Sequence, residues 1–251
     1  MKVSIITVCY NAGSTIESAI RSVLSQDYDN IEYIIVDGKS TDKTGSIIEK
    51  YRSKISKFIC EKDEGIYFAI NKGIRLATGD IIGILHADDF YANNKIISLI
   101  VKEFEIKKTD SVYGDLQYVS KDNPDKIFRH WKSQSYNDKL FPKGWMPPHP
   151  TFFAKRGCYE LLGLYNTSFT IAADYELMLR FLYKNKISTS YIPEVLVKMR
   201  TGGASNVTLK SRIKANREDK LAWKLNGLIP APFTFIAKPL SKLNQFFSKG
   251  N

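Results

Sequence analysis

The 251-residue sequence is poor in cysteine, in histidine and in long apolar runs, and each shortage removes a class of function. Cys9, Cys60 and Cys158 are odd in number and show no paired metal-type spacing. They read as free thiols of a reducing compartment, not as a disulfide framework or a thiolate metal site. A membrane-spanning helix needs about 20 apolar residues, and no run approaches that. The uncharged stretch Leu225 to Ala237 has 13 residues and two prolines. Met1-Lys2-Val3 leads straight into a β-type apolar stretch, which reads as a strand and not as a signal-peptide core. No internal repeat is present, and no Gly-rich phosphate loop opens the chain.

What remains is material for a substantial core: 43% hydrophobic residues and 12% aromatics, with 14 Tyr and 14 Phe. That supports one large domain, or one plus a tail. The net charge of +11 is uneven. Lys198 to Asn251 holds eleven Lys and Arg against Glu218 and Asp219, a balance of +9, leaving +2 for the first 197 residues. A basic tail on a near-neutral body suggests an anionic partner surface; the plainer reading is a solvated helix face.

The first half alternates strand and helix. Val3 to Cys9, Ile31 to Val36, Lys57 to Cys60 and Ile81 to Leu85 are short β-type runs. Between them fall a helix after the capping box Ser14-Thr15-Ile16-Glu17, a second from Ser40 to Tyr51, and a third from about Gly65 to Leu76. Strands spaced in this way by helices build a parallel sheet through right-handed crossovers. A helix from about Asn94 to Lys107 precedes shorter strands: Ser111 to Tyr113, Gln117 to Ser120, Ile127 to Trp131 and Thr151 to Ala154. Helices follow near Lys155 to Leu162 and Ala173 to Tyr183, then strands Thr189 to Ile192 and Val195 to Lys198. A basic helix spans about Thr208 to Leu225. Beyond it, Ile236, Leu240, Leu243 and Phe247 share helical spacing with Lys238 and Lys242 between them, a pattern suited to a membrane interface or to docking on the core.

Ligands of open α/β sheets bind beyond the carboxyl ends of the strands, and acidic residues dominate those ends here. Asp88-Asp89 follows a buried strand. Adjacent carboxylates repel, and a hard divalent ion, Mg²⁺ or Mn²⁺, resolves this by taking one or two carboxylates together with phosphate oxygens; helix capping is the alternative. Asp37, before Gly38, suits a base N–H or ribose hydroxyl, or simply a turn. Asn71 is a mid-helix Asn in need of a partner. Asp174 opens a helix, as a cap or as a carboxylate that takes a proton from an acceptor hydroxyl. His86, before the Asp pair, and His149, in Pro147-Pro148-His149-Pro150, are candidate metal or supporting groups; His130 reads as structural.

Five segments in order resemble the family 2 glycosyltransferases of GT-A fold: SIITVCYN at 4–11, QDYDNIEYIIVDGKSTDKT at 26–44, EKDEGIYFAINKGIRLATGDIIGILHADDFY at 61–91, PHPTFFAKRGCYELLGLYNTSFTIAADYELMLR at 148–180, and TGGASN at 201–206. The similarity is greatest to bacterial members that assemble capsule, exopolysaccharide or lipopolysaccharide units. It implies an α/β fold with a mostly parallel, Rossmann-like central sheet, a small antiparallel acceptor-side portion and a basic C-terminal helical tail. The implied domain is residues 1–205, with a donor half at 1–115 and an acceptor half at 116–205, followed by the tail at 206–251. By the resemblance, Tyr10, Asp37, Asp63, Asn71 and Asp88 bind a nucleotide sugar, with a UDP-sugar favoured. Asp88 and Asp89 hold a divalent cation (Mn²⁺ or Mg²⁺), with His149 as a further candidate ligand, and Asp174 is the base of an inverting displacement. The implied acceptor is a saccharide hydroxyl carried on a lipid such as a polyprenyl diphosphate. The implied location is cytoplasmic, peripheral on the anionic inner face of the membrane. Three positions depart from the family pattern: His86 where an acid is frequent, Lys39 where Ser is frequent, and Ala173 where Glu is frequent. The alternatives are a non-catalytic nucleotide-sugar-binding protein and a nucleotidyltransferase. The latter normally opens with the Gly-rich loop that Val8-Cys9-Tyr10-Asn11 does not provide. Nucleic-acid binding leaves the acidic strand ends unexplained, so no nucleic-acid partner is expected.

Overall fold

The structure, a computed structural model, describes residues 1–202, 209–232 and 234–235. Strands β1 (Val3–Cys9), β2 (Ile31–Asp37), β3 (Lys57–Cys60) and β4 (Ile81–Ile84) alternate with helices α1 (Ile16–Leu24), α2 (Thr44–Lys50) and α3 (Ile66–Leu76). All seven residues of β1 are buried, because a parallel strand covered on both faces needs a continuous apolar run. Each helix adds one apolar stripe; α1 buries Ile16, Ala19, Ile20 and Val23. Helix α3 sits close on the sheet because Gly73 leaves room for Ile6, whose side chain a Cβ would strike.

The chain continues through β5 (Asp89–Tyr91), α4 (Ile96–Lys107), β6 (Ser111–Val119), β7 (Ile127–Trp131), β8 (Phe153–Lys155), α5 (Arg156–Leu162), α6 (Ala173–Met178), β9 (Thr189–Arg200) and α7 (Leu209–Leu225). Among the described residues, nine strands form one sheet in the order β3-β2-β1-β4-β8-β6-β9-β5, with β7 paired to β6. Strands β3, β2, β1 and β4 are mutually parallel, β8 turns the sheet antiparallel, and β6 and β9 are parallel again. In the parallel block Cys9, Asp37 and Cys60 lie side by side, so the carboxyl ends of three strands finish level.

The first four strands match their sequence expectation to within a residue or so. Elsewhere the structure corrects it. The two strands expected at 111–113 and 117–120 are one strand, β6, and those at 189–192 and 195–198 are one strand, β9. Register shifts between Gly114 and Leu116 let Pro193 and Glu194 bulge without ending the ladder. The capping box does not form: Thr15 holds the N-cap position without a side-chain bond, and Glu17 instead accepts from Tyr51 and Arg21. The helix expected at 173–183 is α6 followed by a π-helical turn, Leu179–Lys184. Residues 203–206 of the last motif, and Ile236, Lys238, Leu240, Lys242, Leu243 and Phe247 of the tail, lie outside the described residues.

Candidate active site

The carboxyl ends of β1, β2 and β4 open into a cleft of about 940 Å³ whose opposite wall comes from the segments before β8 and α6 and from the end of β9. Tyr10, Asp63, Asp88, Asp89, His149 and Asp174 all line it, although they are scattered over most of the chain. Tyr10 stands at the mouth, 66% exposed, an aromatic face with nothing stacked on it among the ring contacts described. Asn11 and Lys39 flank it in the left-handed region, with φ of 49° and 64°. Asn tolerates that conformation, whereas for Lys it costs about 1–2 kcal/mol.

Two of the expected nucleotide-binding residues stand behind the wall. Asp37 is buried and its carboxylate is occupied: it accepts from the Ser40 amide at 3.1 Å and from the Ser40 hydroxyl. Cys60 and Cys9 donate to it from either side at 3.3 and 3.5 Å. Burial, reinforced by this carboxylate, pushes both thiols up, so they stay protonated donors. Asn71 grips the loop that carries Tyr165: its Nδ2 donates to the Tyr165 carbonyl at 2.8 Å and its Oδ1 accepts the Tyr165 amide at 3.0 Å. Tyr165 in turn stacks on Tyr67, ring centroids 5.8 Å apart. Asp63 faces the cleft and pairs with Lys72 at 2.7 Å.

The Asp pair does not cap a helix. Asp89 begins β5, and the next helix starts at Ile96. Asp89 is fully buried, and neither carboxylate oxygen has a well-formed hydrogen bond, the Arg200 backbone amide being a weak donor nearby. Burial, then the neighbouring Asp88 carboxylate, raise its pKa well above the usual value, against the opposing pull of Arg200. A buried carboxylate without a partner is strongly unfavourable, and a hard cation shared with Asp88 would relieve it. The pair could hold a divalent ion only together with further ligands, since no three His, Cys, Asp or Glu side chains gather into a metal site among the described residues. Beside the pair, Arg200 Nη1 donates to the Asp88 carbonyl at 2.8 Å, and its guanidinium lies 4.6 Å from the centroid of the Phe90 ring. Arg200 went unmarked in the sequence because only the antiparallel β5–β9 ladder brings it there.

Asp174 is the second residue of α6; Ala172, without a side-chain bond, holds the N-cap position. His149 Nδ1 lies 3.0 Å from Asp174 Oδ2, so the ring that was a candidate metal ligand faces the carboxylate. His86 meets His149 edge-on at 6.0 Å. Burial, then the His149 ring, outweigh Asp88 and Asp174 and lower its pKa to about 4, which keeps it neutral. His130 lies 3.1 Å from Asp115 in the β6–β7 ladder and outside the cleft, as read from the sequence.

The glycosyl transferase family 2 model matches residues 4–167. A glycosyltransferase of Rickettsia typhi, described as uncharacterised, is 30% identical over 256 residues, covering 99% of this chain and 76% of that one. The Escherichia coli protein WfaP, named a UDP-Glc:alpha-D-GlcNAc-diphosphoundecaprenol beta-1,3-glucosyltransferase, is 39% identical over 123 residues, 48% of this chain and 47% of its own. Among solved structures, S. aureus TarS in complex with UDP superposes with a TM-score of 0.70 at 18% identity, over 100% of this chain and 76% of that one. The mannosyltransferase PcManGT of Pyrobaculum calidifontis, in complex with GDP-Man and Mn²⁺, gives 0.67 at 20% identity over the same shares. These superpositions show the GT-A fold.

Proposed function

The chain belongs to glycosyl transferase family 2, and from that premise we propose that it moves a sugar from a nucleoside diphosphate to a saccharide hydroxyl with inversion. One observation carries the reading: a single cleft brings together an exposed aromatic, an acidic pair whose buried member Asp89 lacks a well-formed hydrogen bond, and a His-held carboxylate. Tyr10 would stack on the base, and Arg200 would face the diphosphate beside Asp88 and Asp89. A divalent ion held by that pair would neutralise charge on the departing diphosphate. Asp174 takes the proton of the acceptor hydroxyl as its oxygen bonds to the anomeric carbon. The bond from that carbon to the diphosphate oxygen breaks, and the nucleoside diphosphate leaves with the electron pair. His149, donating from Nδ1, aims the Asp174 carboxylate. The donor would lie against residues before 115 and the acceptor against the later half.

The likeness to WfaP and to the UDP complex of TarS supports a UDP-sugar donor and an acceptor on a polyprenyl diphosphate, in the building of a cell-surface glycan. Turnover assays with UDP-glucose, UDP-GlcNAc, GDP-mannose and dTDP-glucose, with and without Mn²⁺, test it. Metal-dependent release of one nucleoside diphosphate, lost in Asp174→Asn while nucleotide binding persists, supports the reading. Turnover by none of these donors, or by the Asn variant as by the wild type, overturns it.

We also propose peripheral attachment to an anionic, cytoplasmic membrane face. No helix among the described residues is long and apolar enough to cross a bilayer. Both acids of α7, Glu218 and Asp219, are buried, so the charged groups described on its outer face are the cations Lys214, Arg217, Lys220 and Lys224, with Ile213, Leu221 and Leu225 exposed among them. Cations mixed with apolar side chains suit a lipid surface. Replacing Lys214, Arg217 and Lys224 together by Glu is expected to abolish flotation with phosphatidylglycerol vesicles; flotation equal to the wild type would sink the proposal.

A further inference from the structure

Helix α7 lies beyond the matched family segment and, by charge, belongs to the tail, yet its inner face reaches the catalytic wall. The Glu218 carboxylate collects the donors of the loop that leads into Asp174. The Ile171 and Ala172 amides each donate to Oε2 at 2.9 Å, the Thr170 hydroxyl donates to Oε1 at 2.8 Å, and the Thr170 amide donates to Oε1 at 3.2 Å. Thr170 and Ile171 line the cleft, and Glu218 is buried. Neighbouring contacts fix the same helix pair: Trp223 Nε1 donates to the Tyr175 hydroxyl at 2.8 Å, and Asn226 Nδ2 donates to Glu176 Oε1 at 3.0 Å.

A short helix with Ala at its N-cap position has no side chain of its own to take up its first amides. Glu218, from another helix, accepts the amide of the N-cap residue Ala172 and those of the two residues before it. From the far side Tyr67 completes the clamp: its hydroxyl donates to the Ile171 carbonyl at 2.8 Å and accepts the Ala173 amide at 3.2 Å. Residues 170–173 are thus held on both flanks, and Asp174 is the next residue. Burial alone would raise the Glu218 pKa, but its amide and hydroxyl donors outweigh that and hold it below the usual value. The carboxylate is therefore charged, as an acceptor-only role requires.

We propose that Glu218 is a positioning residue for the reaction, setting the reach of Asp174 through the 170–172 backbone, so that the catalytic unit extends into α7. The inference rests on the reading of Asp174 as the base. A general base must lie within hydrogen-bond reach of its proton, and a shift of about 1 Å can cost about 10²-fold in rate.

The test is Glu218→Gln, which keeps the size and replaces one acceptor oxygen by a donor facing the loop amides. With the donor that turns over fastest in the screen above, kcat is expected to fall by about 10²-fold. The stoichiometry and Kd of UDP measured by calorimetry should stay within about twofold of the wild type, since an interaction confined to the transition state leaves ground-state binding unchanged. On the free protein, hydrogen exchange should quicken at the amides of 170–172 and stay unchanged at Ile5 to Val8. Near-wild-type kcat, or a loss of kcat matched by an equal loss of UDP sites, overturns the inference; the second outcome is unfolding. Exchange needs no substrate, so it reports the loss of the clamp even if the glycosyl-transfer reading fails in the donor screen, and unchanged exchange at 170–172 refutes the clamp whatever the kinetics.

Discussion

Two buried carboxylates mark opposite ends of the same sheet. Glu32, near the start of β2, is saturated: the Ser4 hydroxyl, the Thr78 amide and the Thr78 hydroxyl donate at 2.6, 2.7 and 2.8 Å, and Lys57 and Lys2 pair with it at 3.0 and 3.2 Å. Burial pushes its pKa up, but Ser4, Thr78 and Lys57 outweigh this and hold it far below the usual value. Asp89, at the other end, makes no well-formed hydrogen bond and has only Arg200, through its backbone amide and its charge, to oppose burial, so it is pushed the opposite way. A carboxylate satisfied from within the chain serves the fold. One left so poorly satisfied, in a cleft, marks a candidate site.

The contrast is breakable by experiment. Its strongest test lies at the cleft end: Asp174→Asn is expected to lower kcat by about 10²–10⁴-fold with no loss of Tm, measured by donor turnover and calorimetry. Asp89→Asn should abolish the response of UDP affinity to Mn²⁺ while leaving Tm in EDTA equal to or above that of the wild type, because it removes a carboxyl whose ionised form burial disfavours. A fall in Tm there would show that Asp89 is structural and erase the distinction. Glu32→Gln should do the reverse: wild-type turnover per folded molecule, with about 2 kcal/mol of stability lost, since Lys2 and Lys57 are partly exposed and regain water. For a chain of this size that is about 4–8 °C in Tm. The sign with pH follows from the depressed folded pKa. The stabilisation from Glu32 is complete above the unfolded value of 4.5 and is lost as pH falls toward the folded value. The stability gap between wild type and Glu32→Gln must therefore narrow below that pH. Smallest is Tyr10→Ala, expected to weaken UDP binding by about tenfold through lost stacking, with Tm unchanged at so exposed a position.

The parallel block was legible because burial on both faces forces continuous apolar runs such as Val3–Cys9, while the half-exposed edge strand Lys57–Cys60 was marked by its short β-type run; neither needed adjustment. The place of the Asp pair in the cleft was legible because it closely follows the buried run of β4. Asp37 and Asn71 show the limit: their sequence positions marked the pocket region, but only coordinates show that their polar atoms are spent on Ser40 and Tyr165. β5 escaped notice because three residues carry no period. Arg200 and Glu218 escaped because their roles depend on pairings across the chain, with Asp88 and with the Thr170 loop, and periodicity within a segment carries no such information.

Helix α3 belongs to the first half of the chain, yet Tyr67 and Asn71 hold loops of the second, through Ile171 and Tyr165. Anyone recombining relatives to change the acceptor would naturally cut near the middle of the sequence. Such a hybrid would inherit one wall of the cleft from one parent and the brackets for that wall from the other. A workable exchange transplants positions 67 and 71 together with the later half.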